Sequence, residues 1–206
     1  MTTGSGEEDA GGGWTRLSRR RAYENPWIAV DEDVIRLPSG ATTLYGIVRC
    51  GSCVGMLPFV DDDHVLLVQQ FRYITGQTTW EMPTGGVHAG ESIEAAAQRE
   101  LSEEVGVQAR RLTPLTAYAT SKSVVDETAH LFLAHDLVAG TAEPDATEHF
   151  SVDTVPFADA LEMVLSGQIV DSMTIIAVLW ADRLREGGPG APSTNTKLSP
   201  WARVRQ

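Results

Sequence analysis

The chain has 206 residues, 42% of them hydrophobic and 21% charged, which is ordinary for one well-buried globular domain with extensions. A formal net charge of −12 argues against non-specific binding to nucleic acid or to an anionic membrane. No apolar run approaches the ~20 residues that would span a bilayer, and no charged-then-apolar secretory signal opens the chain, so a cytoplasmic protein is expected.

Residues 1–13 are mostly Gly, Thr, Ser and acid, and residues 187–199 are similarly poor in core residues; 1–13 and 187–206 are expected to be flexible. Trp27–Asp31, Val34–Leu37 and Thr42–Arg49 read as strands around the turn Pro38-Ser39-Gly40, which predicts an antiparallel β region over residues 14–44. Such a region has little core of its own and is expected to bury its apolar faces in a homodimer. Arg16, Arg19, Arg20 and Arg21 are expected to form a solvated edge that meets acids across a subunit contact. Cys50 and Cys53 lie in an apolar, strand-like stretch where a C-x-x-C pair reads as buried structural thiols, not a redox motif.

Val54–Val60 and Val65–Gln70 are strand candidates on either side of Asp61-Asp62-Asp63-His64, a hairpin turn in which His64 is turn and not ligand. Leu112–Tyr118, His130–Leu137 and Val152–Val155 continue the strands, and Phe157–Leu165 and Asp171–Arg185 have helical periodicity. With a further helix at Ser92–Val105, this order predicts an α/β/α layered domain with a mixed sheet over residues 45–186.

That central helix carries the chemistry. Ile93, Ala97, Leu101 and Val105 recur as a core-facing stripe, while Glu100, Glu103 and Glu104 crowd one turn at i, i+3 and i+4. Like charges at that spacing repel by some tenths of a kcal/mol per pair, and a divalent cation removes the conflict. Magnesium suits the cluster because it takes hard oxygen ligands and shares its shell with water and phosphate. Arg99, four residues before Glu103, can pair with Glu103 or Glu91.

The full spacing is Gly85, five residues, Glu91, seven residues, then Arg99-Glu100-Leu101-Ser102-Glu103-Glu104-Val105-Gly106-Val107. It resembles the Nudix box, G-x5-E-x7-R-E-U-x-E-E-x-G-U with U a bulky aliphatic residue, and matches every specified position. Trp80-Glu81-Met82-Pro83-Thr84 also looks like the family's lead-in. The resemblance implies a Nudix fold over roughly residues 45–185 and a hydrolase acting on a nucleoside diphosphate linked to another group. It implies magnesium, with manganese as a possible substitute, held by Glu100, Glu103, Glu104 and the backbone carbonyl of Thr84. Gly85, Glu91 and Gly106 would be structural positions of the box.

Outside the box, Glu24-Asn25-Pro26-Trp27, Val34–Gly40, Gln69–Tyr73 and Gly167–Ser172 with Thr174 resemble segments of the ADP-ribose and nucleotide-sugar pyrophosphatases. ADP-ribose-hydrolysing members commonly carry a P-G-x-x-D-E loop where this chain has Thr120–Glu127, which keeps Asp126 and Glu127 but not the Pro-Gly. The resemblance thus leaves ADP-ribose or a related sugar nucleotide such as GDP-mannose as substrate. A nucleoside triphosphatase or a non-catalytic nucleotide-sensing domain are the alternatives. Catalytic roles are implied for Glu103, Arg99 and a loop acid that serves as general base, Glu148 in preference to Glu143 or Asp145. Trp27, Arg72, Glu81 and Gly85 are candidates for substrate binding.

Overall fold

The computed structural model describes residues 3–140 and 150–185. In chain order the strands are β1 (Thr3–Gly11), β2 (Trp14–Glu24), β3 (Ala29–Arg36), β4 (Thr42–Pro58), β5 (His64–Arg72), β6 (Gln77–Glu81) and β7 (Thr84–Gly86). Helix α1 (Ile93–Val105) follows, then β8 (Val107–Ala119), β9 (Val125–Ala139), β10 (Phe150–Pro156), α2 (Phe157–Leu165) and α3 (Ser172–Arg185). This is the α/β class with a mixed sheet that the sequence predicts. No helix among the described residues is long and apolar enough to cross a membrane.

The chain divides into two compact units, one running to Gly51 with Ala119–Thr128 added, the other formed by Ser52–Tyr118 and the chain from Ala129 onward. The division falls inside β4, later than the expected boundary at residue 44.

In the first unit β1, β2, β3 and the start of β4 follow one another as antiparallel neighbours. The arginine cluster is not an edge awaiting another subunit. Register sets Arg19 opposite Asp33, Arg20 opposite Glu32 and Arg21 opposite Asp31, so β2 and β3 are joined by a ladder of opposite charges within the chain. Arg19 Nε and Nη2 each lie 2.7 Å from an Asp33 oxygen. Asp31, 2% exposed, accepts from Arg21 Nε at 2.6 Å and from Arg49 Nε at 3.0 Å. Burial pushes the Asp31 carboxyl up, but these arginines outweigh it and hold the group below its ordinary value. The amino-terminal segment, expected to be flexible, includes β1; Glu8 on Arg16 and Glu7 on Arg36 compensate for its lack of apolar residues. Cys50, in β4, is free and half-buried, and burial raises its thiol pKa, which disfavours the reactive thiolate.

The second unit is organised by the period-2 alternation of its strands. On β4, Val54 and Met56 join Phe132 and Ala134 of β9 in a core that receives Ala96, Ala97 and Leu101 of α1. Leu57 and, on β9, Leu131 point into a second core with Leu67, Met82, Phe157, Ala160, Ala177 and Val178, which covers α2 and α3. The two helical sides are thereby assigned by which residues of β4 and β9 face them. Ile93 and Val105 of the expected stripe are only partly buried, packed at the margin of the first core. Here β4 neighbours β9, β9 neighbours β8, and β7 pairs with β4; β10, β5 and β6 form a separate three-stranded sheet. His64 begins β5, its Nδ1 2.9 Å from Asp61.

Replacing Asp31 with Asn should leave Arg21 and Arg49 without their shared carboxylate. A loss of about 3 kcal/mol is expected, at the low end for breaking a buried ion pair because the arginines keep some access to water. Glu32→Gln, on the exposed rung between, should cost less than about 1 kcal/mol. Urea unfolding of both variants checks this; equal costs would mean that the buried rung carries no special weight.

Candidate active site

Helix α1 starts because Ser92 caps it, its Oγ accepting from Ala95 N–H at 3.1 Å. It stops at Gly106, whose φ of 67° is open to glycine at little cost and whose N–H returns to the last turn. Between these caps Ala96, Ala97 and Leu101 face the core, and the 3.6-residue period carries Glu100 and Glu104 partly inward as well. Glu100 is 8% exposed and Glu104 6%, whereas Glu103 stands further out.

Buried carboxylates must be compensated. Arg99 does much of this through five contacts. Its Nε and Nη2 grip Glu91 at 3.0 and 3.1 Å, Nη1 reaches Glu100 at 2.7 Å and Glu103 at 2.8 Å, and Nη2 also donates to the Gly86 carbonyl at 2.8 Å. The expected choice between Glu91 and Glu103 is therefore no choice, since one guanidinium serves both and Glu100 besides. Those bonds, Glu91 foremost, raise the Arg99 pKa against the opposing effect of burial. Hydrogen bonding from Arg99 and from the His88 amide lowers Glu91 from 4.5 to about 2.

Strand β7 supplies the other wall. Thr84 N–H donates to Glu104 Oε2 at 3.1 Å. Gly85 makes room for the acid: a Cβ there would lie 1.9 Å from the Glu100 carboxyl, which would have to move away. Thr84, Gly85, Glu100 and Glu104 are thus brought together, with Glu103 beside them on Arg99. Among the described residues no three acidic, histidine or cysteine side chains form a ready metal cage. The donor set still fits a hard cation, because Glu100, Glu103 and Glu104 offer carboxylate oxygens and are few enough to leave coordination positions for water and phosphate.

Arg72 and Glu81, expected as separate substrate contacts, bind each other. Arg72 Nε lies 2.9 and 3.0 Å from the two Glu81 oxygens, Nη2 adds a third bond, and Thr79 Oγ1 donates to Glu81 as well. The Glu81 hydrogen bonds raise the Arg72 pKa, with burial opposing and the charges of Glu104 and Asp171 assisting. Glu81 is buried, so most of its accepting capacity is already committed. Trp27 belongs to the other unit and is 80% exposed, which excludes a core role; Asn25 holds its backbone N–H in a local turn. Glu143, Asp145 and Glu148 lie outside the described residues.

Two polar residues, which the sequence marks only as part of the Gly167–Thr174 segment, make contacts here that it does not reveal. Thr174 accepts from Met82 N–H at 3.0 Å, and Asp171 caps α3 by accepting from Thr174 N–H at 2.7 Å. An Asp three residues before a Thr at a helix start is a capping signal, but nothing in the sequence points from Thr174 to Met82.

A helix bearing buried, arginine-braced glutamates against a glycine strand is the Nudix arrangement, and the family model named NUDIX domain matches residues 51–171. The chain belongs to the Nudix family. Residues 14–48 match the nucleoside diphosphate sugar hydrolase N-terminal domain. The sequence is 33% identical over 164 residues to an ADP-ribose pyrophosphatase of Bacillus subtilis (strain 168), covering 79% of this chain and 89% of that one. It is 33% identical over 168 residues to the ADP-ribose pyrophosphatase of Mycobacterium tuberculosis (strain H37Rv), covering 79% and 80%. A solved ADP compounds hydrolase shares the fold with a TM-score of 0.77 at 22% identity, over 87% of this chain and 98% of its own. The resemblance to the ADP-ribose and nucleotide-sugar pyrophosphatases is borne out, and the chain is a pyrophosphatase of the hydrolase class.

The low Glu91 pKa has a definite pH signature. Because the folded value lies below the ordinary 4.5, the pair contributes stability in full above that pH and loses it as pH falls toward 2. Glu91→Gln should therefore be destabilised most at pH 6, and the gap to wild type should narrow steadily down to pH 3. Urea midpoints at a series of pH values measure it; a gap independent of pH would refute the assignment.

Proposed function

We propose that the protein hydrolyses the diphosphate linkage of ADP-ribose or a closely related nucleoside diphosphate sugar, releasing a nucleoside monophosphate and a sugar phosphate. The observation that carries this reading is the pair of buried carboxylates, Glu100 and Glu104, set against Thr84 and Gly85 on a helix braced by Arg99. The names of the two 33%-identical relatives support ADP-ribose as the first substrate to try.

Glu100, Glu103, Glu104 and the Thr84 carbonyl would hold divalent cations, magnesium first and manganese as substitute. When bound, such ions neutralise the diphosphate and make water a competent nucleophile. The chain's own part is to keep the oxygens fixed. Arg99 spreads one positive charge over Glu91, Glu100 and Glu103, so the carboxylates do not repel each other apart. Glu148 is assigned as general base on the sequence, accepting the proton of the attacking water. Arg72, pinned to Glu81, presents the rest of its guanidinium as a fixed donor for a phosphate or ribose oxygen. Trp27, exposed, is available to stack on a base.

Incubation with magnesium and a panel of ADP-ribose, GDP-mannose and nucleoside triphosphates, with products identified, tests the reading. AMP and ribose 5-phosphate are expected from ADP-ribose. Glu104→Gln should lower turnover at least about a hundredfold, equivalent to about 2.7 kcal/mol of lost transition-state stabilisation. Glu148→Gln should lower kcat with little change in KM. Conversion of a triphosphate with no action on any nucleotide sugar would discard the substrate class.

The working form is proposed to be a cytoplasmic homodimer, with no nucleic acid or membrane partner. Tyr23, Trp27 and Leu44 expose large apolar surfaces on the amino-terminal unit, as a subunit interface would require. Light scattering should give twice the 22.3 kDa chain mass at micromolar concentration; a monomer would sink this part of the proposal.

A further inference from the structure

Met82 and Pro83 carry the chain from β6, in the three-stranded sheet, to β7, which pairs with β4. A link between sheets has no ladder to satisfy its peptide groups, so each must find a partner elsewhere. Pro83 offers no N–H, and its carbonyl accepts from Met56 N–H at 3.0 Å. Thr84 N–H goes to Glu104. Met82 N–H goes to Thr174 Oγ1, a side chain 92 positions away in sequence and fully buried.

The Thr174 hydroxyl has a single proton, and its direction is fixed. Oγ1 lies 2.6 Å from Asp171 Oδ2, which can only accept, so the hydroxyl donates to Asp171 and turns a lone pair toward Met82 N–H. The same aspartate oxygen takes Thr174 N–H at 2.7 Å, which locks the donor to the start of α3. Packing leaves the link little room. A Cβ on Gly55 of β4 would come within 2.4 Å of Met82 Cε and 2.9 Å of Met173 Cε, so strand, link and helix are in close contact. A polar relay runs from Asp171 through Thr174 to Met82, and two residues further on the same backbone meets Glu104.

We propose that Thr174, oriented by Asp171, is a positioning residue that fixes the Met82–Thr84 link and with it the Thr84–Glu104 side of the site, so that cation affinity depends on a hydroxyl that touches neither cation nor substrate. The inference rests on the assignment of Thr84 and Glu104 as cation holders. Groups that orient ligands in this way typically change metal affinity by roughly 10- to 100-fold when removed.

The test is Mn2+ binding to the substrate-free protein, followed by the electron paramagnetic resonance of free Mn2+, with thermal unfolding in the absence of metal measured beside it. Thr174→Val, which keeps the shape and loses the hydroxyl, should weaken Mn2+ binding at least roughly tenfold. Thr174→Ser should stay within about twofold of wild type, since the relay survives. In the assay, Thr174→Val should need more magnesium for half-activation and regain most of its kcat at saturating metal. A purely structural role predicts a lower unfolding temperature with unchanged Mn2+ affinity, and that result would overturn the inference. If Thr174→Val does not fold, Asp171→Ala decides in its place: weaker Mn2+ binding upholds the relay and wild-type binding overturns it. Wild-type protein that binds no Mn2+ would instead defeat the cation assignment itself, and this inference with it.

Discussion

The candidate site depends on one guanidinium. Glu91, Glu100 and Glu103 converge on Arg99, and the Gly86 carbonyl takes a further bond, so all five of its N–H groups are used. Lysine could not replace it, because a single ammonium cannot grip Glu91 with two parallel bonds and reach two other carboxylates on the helix at once. Residue spacing follows from this geometry. Glu100 adjoins Arg99, Glu103 lies one helical turn beyond, and Glu91 precedes the helix in the loop, where it can approach from the side that the helix leaves open. Gly86 draws β7 to the same centre.

The same requirement accounts for Gly85. A helix that buries a carboxylate needs a neighbour thin enough to let it in, and a Cβ at position 85 would overlap the Glu100 carboxyl. What looks in the sequence like loop glycine is close approach of strand to acid. Compensation therefore occurs at two levels, charge from Arg99 and space from Gly85, with the Thr84 amide adding a donor for Glu104. Each of the three is local to a segment of about twenty residues, which is why so much of the site can be read in one dimension.

Legibility fails where partners lie far apart in the chain. Helix α1 and its acidic turn were readable because caps, stripe and charges all fall within a few turns. Strand β2 was not, since its core is a run of arginines that satisfies no apolar alternation; only the register with Asp31, Glu32 and Asp33 turns it into half of a ladder. Strand β4 read as two strands because Gly51, at φ 89°, interrupts the apolar pattern without ending the pairing. Thr174 stands out in the sequence only as part of a resembling segment, and its bond to Met82 is invisible without the fold. Glu81 and Arg72, nine residues apart, each looked like a free binder because a hairpin register decides whether they meet.

That last pair changes how substrate recognition is to be understood. A free glutamate and a free arginine would offer an acceptor and a donor to different parts of a ligand. Bound together, with Thr79 on the same carboxylate, they present mainly donors, because Glu81 is buried and its oxygens are occupied. Glu81 then acts on Arg72 instead of on the ligand: it holds the guanidinium in one orientation, so less side-chain entropy would be lost when an anion arrives. A fixed cationic donor recognises a phosphate or a vicinal diol equally well whatever base the ligand carries. On the proposed reading, selectivity among nucleoside diphosphate sugars would then have to come from groups other than this pair, whose geometry offers a donor and no discrimination between bases.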